Sequence, residues 1–173
     1  MLEKTGIPSL SDIESAFPDE ARLKQGPVAV IECFQEIPCN PCQNACRRNA
    51  IQPFEDITHL PKIITDNCNG CALCVPQCPG LAIMTVHLDF SEDKAMMSIP
   101  YEFKPLPKAG ETVKGLDRSG KEVAPVQVVK VLDTKITDKT PVISFVLDKK
   151  YIKMIRNIGG VQKHPNEGDA VCE

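Results

Sequence analysis

The chain has 173 residues, 42% of them apolar and 25% charged, no tryptophan, and a net charge of -3 from 20 basic and 23 acidic side chains. That balance fits one ordinary globular domain or two small ones, excludes collagen-like and largely disordered classes, and gives no overall reason to expect a nucleic-acid partner. With no run of eighteen apolar residues and no basic, apolar leader at the amino terminus, neither a membrane span nor secretion is expected, and the sequence reads as cytoplasmic.

Residues 1–26 read as an extension with one short helix. Leu10, Ile13 and Phe17 fall on one helical face behind a capping Ser9, and Pro18 stops the helix. That face is expected to pack on the neighbouring domain. Gly26 and Pro27 break the chain, after which residues 28–31 (Val-Ala-Val-Ile) read as a buried strand delivering Cys33 at its end. A second strand is expected at 62–65, leading through a turn at Asp66 and Asn67 into Cys68, and a third at 81–86 after Cys78, Pro79 and Gly80. Residues 27–91 thus repeat strand, cysteine loop, strand.

The texture then changes. Residues 27–91 hold three basic and six acidic side chains, whereas residues 92–156 hold thirteen basic and nine acidic. From about Ile99, prolines at 100, 105, 107, 125 and 141 separate β-branched runs at 111–114, 126–132 and 142–147. Asp117, Arg118, Ser119 and Gly120 have the composition of a hairpin turn. Residues 92–158 are therefore expected to form a small antiparallel, barrel-like β domain, closed by a short helix or strand at 151–155, with a polar tail at 159–173.

The nine cysteines are expected to hold metal rather than disulfides in a chain without a secretory leader. Cys68, Cys71, Cys74 and Cys78, with Pro79 following, match the C-x2-C-x2-C-x3-C-P run of bacterial iron–sulfur proteins without a departure. Cys39, Cys42 and Cys46 match the last three cysteines of a second such run. Small and apolar residues between them (Ala45, Gly70, Ala72, Leu73, Val75) would let backbone N–H groups approach sulfur and exclude water. Arg47 and Arg48 stand where a positive charge could raise a cluster's potential, although a solvated face is the simpler reading.

Over roughly 65 of its 173 residues the chain resembles the two-cluster bacterial ferredoxin family. The resemblance implies an α+β fold, with a ferredoxin-like dicluster domain at 27–91 ahead of the small β domain. It also implies two 4Fe–4S clusters, one bound by Cys68, Cys71 and Cys74 with Cys46, the other by Cys39, Cys42 and Cys78. The second set lacks a ligand. Strict spacing puts it at Glu36, and Arg47 replaces the proline expected after Cys46. Cys33 at the end of the opening strand is the favoured fourth ligand; the alternatives are a Glu36 carboxylate or a three-iron cluster. Structural zinc is the other metal that paired cysteines suggest, but zinc sites stop at four ligands in two pairs.

His59, His87 and His164 have no ligand spacing to one another, Cys172 reads as a free thiol, and Lys149, Lys150, Lys153 and Arg156 read as a solvated basic face. Gly159 and Gly160 make no phosphate loop, so no nucleotide or flavin site is expected. The expected function is electron transfer, without catalysis by this chain alone. The extra segments give it a similarity to small iron–sulfur subunits of flavin-dependent dehydrogenases from anaerobic microbes, which implies flavoprotein subunits or other redox proteins as partners. A free ferredoxin is the alternative, and an iron–sulfur sensor a further one for which no DNA-recognition helix is evident.

Overall fold

The computed structural model describes residues 2–159; His164, Cys172 and the tail from 160 onward lie outside the described residues. Four short helices occupy the first part of the chain: α1 (Leu2–Thr5), α2 (Leu10–Ala16), α3 (Glu20–Lys24) and α4 (Pro41–Ala45). Seven strands follow one another as β1 (Val28–Ile31), β2 (Ile83–His87), β3 (Lys94–Pro100), β4 (Thr112–Leu116), β5 (Glu122–Leu132), β6 (Val142–Asp148) and β7 (Asn157–Gly159). They make one antiparallel sheet in the order β1-β2-β3-β6-β5-β4-β7. Because β2 pairs directly with β3 (Thr85 opposite Ser98), strands from either side of residue 91 share this sheet.

Side chains alternate across a strand, so a strand buried on both faces serves two cores. All four residues of β1 are buried. Val28 and Val30, with Met84, Val86, Met97 and Phe145, face the main core, which α2 and α3 help to cover through Ile13, Phe17 and Leu23. Ala29, Ile31 and Ile83 face the other way, into a smaller core built from the cysteine loops. On that face Ser98 and Ser144, directly opposite each other in β3 and β6, satisfy one another at 2.8 Å.

The edges of the sheet meet at a buried ion network. Glu32, one residue past β1, accepts from Arg118 in the β4–β5 turn and from Arg156, one residue before β7; the Arg156 Nε contact is 3.2 Å. The two arginines also donate to the carbonyls of Lys153 at 2.7 Å and Leu81 at 2.6 Å. The β4–β5 turn forms at residues 117–120, where the Asp117 carboxylate accepts the Ser119 and Lys121 N–H groups and Gly120 takes φ +82°.

Several sequence expectations need correction. α2 begins after the Ser9 cap, which exchanges hydrogen bonds with Asp12 in a capping box. Ile13 and Phe17 reach the core, but Leu10, at the first helical position, is 80% exposed. The strand expected at 62–65 shrinks to one bridge between Ile51 and Ile63, followed by a 3-10 turn at Thr65–Asn67. Pro53 and Pro61 flank that contact and lack the N–H groups that would extend it. The expected closing segment 151–155 begins as the last residue of the 3-10 segment Lys149–Tyr151 and continues as a turn at 152–154, with β7 after it. Arg156 is part of the buried network rather than a solvated face, because it lies where the sheet edges meet. β3 was not foreseen, although Ala95, Met97 and Ile99 bury with strand periodicity.

Candidate metal centre

Four backbone segments carry the cysteines. The chain leaving β1 brings Cys33; α4, with Pro41 in its first turn, carries Cys42 between Cys39 and Cys46; the 3-10 turn at Thr65–Asn67 leads into Cys68, Cys71 and Cys74; and Cys78 precedes β2. Gly70 and Ala72 both adopt positive φ, +65° and +61°, which tightens the loop between Cys68 and Cys74.

These segments enclose two cavities. One is lined by Cys33, Cys39, Cys42 and Cys78 together with Ile31, Phe54 and Ile83. The other is lined by Cys46, Cys68, Cys71 and Cys74 with Ala29, Ile51 and Ile63. The two runs are therefore interleaved: Cys46 leaves its own loop for the second cavity, and Cys78 leaves its loop for the first. Glu36 is exposed and does not line the cavity that Cys33 joins. Of the histidines, His59 lines the first cavity but is exposed, and His87 packs edge-on against Phe90. Arg47 and Arg48 are exposed, and only Arg48 borders a cysteine cavity.

The crossing is made by a repeated piece of backbone. After Cys46 the chain reaches Asn49 at φ +52°, and the Ala50 N–H donates back to the Cys46 Sγ at 3.3 Å. After Cys78 it reaches Leu81 at φ +52°, and the Ala82 N–H donates back to the Cys78 Sγ, also at 3.3 Å. In both places Ala-Ile follows, Ala50-Ile51 and Ala82-Ile83, and all but Ala82 are buried. The Ala-Ile pair at the same offset is a signal of internal duplication that cysteine spacing did not exploit. It also shows that Arg47 in place of proline leaves the path of the chain unchanged.

The Cys68 Sγ accepts from the Ala29 N–H at 3.4 Å and the Gly70 N–H at 3.5 Å. Burial pushes the Cys74 thiol up to about 12, reinforced by Cys68, Cys71 and Cys46, and the Cys42 thiol up to about 11, reinforced by Cys78. Cys33 is raised by burial, then by Cys78 and Cys39. At Cys46 burial also acts upward, but the N–H groups of Ile51, Arg48, Ala50 and Asn49 outweigh it and the thiol is lowered. Crowded, buried thiols are unfavourable as thiolates until a positive core shares their charge, as thiolate-bound iron does.

Four cysteines at each cavity form the kind of thiolate donor set that holds an iron–sulfur cluster. Among the described residues no three His, Cys, Asp or Glu side chains converge closely enough to hold one metal ion; the cysteines surround a space instead. Residues 61–84, which contain the complete four-cysteine run, match the family model of the 4Fe–4S binding domain. The match supports a 4Fe–4S cluster at this segment and electron transfer through it. No solved structure matches the chain. Among the described residues no helix is long and apolar enough to cross a membrane.

Proposed function

We propose that the protein passes electrons through two 4Fe–4S clusters, one held by Cys33, Cys39, Cys42 and Cys78 and the other by Cys46, Cys68, Cys71 and Cys74. The observation that carries this reading is the division of eight cysteines into two sets of four around two separate cavities. A thiolate-bound cubane cluster accepts and returns one electron at a time, which is the chemistry such a group would supply. The chain's residues bind, space and insulate. Ile31 and Ile83 in one cavity, and Ile51 and Ile63 in the other, keep water from the sulfurs, while the N–H groups of Ala29, Gly70, Ala50 and Ala82 partly neutralise thiolate charge.

We further propose that the chain works as the iron–sulfur subunit of a flavin-dependent oxidoreductase. Its support is a groove beside Cys33, lined by Ile37, Phe103 and Leu81 together with Arg118 and Arg156. Ile37 is 46% and Phe103 60% exposed there, an apolar rim suited to a docked protein next to the first cluster. Affinity purification of the tagged chain from its native host under anaerobic conditions tests this. A stoichiometric, yellow flavoprotein in the eluate supports the subunit reading, and recovery of the iron–sulfur protein alone favours a free carrier.

A further inference from the structure

Arg22, in α3, lies more than forty residues before Thr65 and Cys68, yet its guanidinium is built into the second cysteine loop. It is 8% exposed. Its Nε donates to the Thr65 carbonyl at 2.9 Å, one Nη to Gly26 at 3.2 Å, and the other Nη to Pro27 at 3.4 Å and to Cys68 at 2.6 Å. Every acceptor is a backbone carbonyl. Among the described residues no carboxylate pairs with it; Glu20 pairs with Lys24, and Asp19 caps α3 by accepting the Arg22 backbone N–H at 2.7 Å. A buried cation without a counter-ion is expensive, and carbonyl dipoles compensate only part of its charge. The opposite charge has to come from something the loop holds. Four thiolates around iron and sulfide carry net negative charge, and the peptide of Cys68 is the one that Arg22 grips most closely.

Resting on the two-cluster reading, we infer that Arg22 is the buried counter-ion of the cluster held by Cys46, Cys68, Cys71 and Cys74 and sets its reduction potential high. Reduction adds a negative charge, so a fixed positive charge in a water-poor site favours the reduced form and is little screened by salt. The N-terminal extension is then part of the redox centre. Arg22 is a positioning and tuning residue, distinct from the exposed Arg47 and Arg48.

The test is a redox titration of the reconstituted full chain, followed by electron paramagnetic resonance, for the unmodified protein, Arg22→Gln and Arg22→Lys. Iron and sulfide are counted first. An unmodified protein lacking the second cluster overturns the two-cluster reading and the inference with it. With both clusters present, Arg22→Gln should weaken one of the two reduction steps about tenfold or more in equilibrium constant, a fall of about 59 mV per tenfold for one electron. The other step should move much less. Arg22→Lys, which keeps the charge but not the four-carbonyl grip, should restore most of the loss. Unchanged potentials in a fully loaded Arg22→Gln protein overturn the inference while leaving the clusters in place. If the glutamine variant loses iron, Arg22→Lys decides: normal loading with a near-normal potential supports the counter-ion role, and failure like that of glutamine shows a clamp instead.

Discussion

Replacing Glu32 by glutamine should be among the most damaging single changes outside the cysteines. The Glu32 side chain is 6% exposed, and those of its partners Arg118 and Arg156 are 8% and 16% exposed. One carboxylate therefore serves two guanidinium groups with little water to replace it. Burial already holds Arg156 below its usual range, with Glu32 acting in the opposite direction. Removing one partner of a buried network typically costs about 3–5 kcal/mol, because the remaining charges are left unpaired. For a chain of this size each kcal/mol moves the melting temperature by about 2–4 °C, so Glu32→Gln should lower it by about 6–20 °C. The comparison is made by anaerobic differential scanning calorimetry of cluster-loaded proteins at one scan rate. A triple variant with Glu32, Arg118 and Arg156 all made apolar should recover much of the loss, since a fully apolar replacement strands no charge. A fall of less than about 2 °C in Glu32→Gln, well under the range given for breaking a buried pair, would refute the claim that this network joins the sheet edges.

Cys33→Ser should convert the first cluster to a three-iron form or lose it, whereas Glu36→Gln should leave iron content unchanged; a three-iron paramagnetic signal in the oxidised unmodified protein would reverse that assignment. Gly70→Ala should destabilise the second cysteine loop by about 2–4 kcal/mol, combining left-handed strain with overpacking. At Gly70 a Cβ would lie 2.5 Å from the Pro27 Cβ and 2.7 Å from its carbonyl carbon. Faster iron loss to a chelator reads the effect, and an unchanged rate would show that the contact with Pro27 yields freely.

The grouping of the cysteines around two cavities was more legible than the scaffold. Cysteine spacing depends on local chain geometry, so positions 39 to 78 could be read directly, and Cys33 needed only the expectation that a strand ended before it. Arg22 was invisible because its role depends on α3 folding against Thr65 and Cys68, more than forty residues away in sequence. Arg156 likewise read as part of a solvated basic face and Glu32 drew no reading, because their network forms only where the sheet brings β1 near β7. The runs in β4, β5 and β6 were found from β-branched residues between prolines. β3 escaped because two methionines and an alanine carry little strand signal by themselves, and its place depends on pairing with β2 and β6. The short pairing at Ile51 and Ile63 shows the converse, an apolar run whose partner segment is too short to extend it.

Iron and acid-labile sulfide, counted per chain after anaerobic reconstitution, test the central claim most directly. Two cubane clusters require about eight of each, with Cys46→Ser and Cys78→Ser each disturbing the cluster of the opposite loop. About four of each would leave one cluster and contradict the paired-cavity account, and stoichiometric zinc without sulfide would contradict the iron–sulfur assignment altogether.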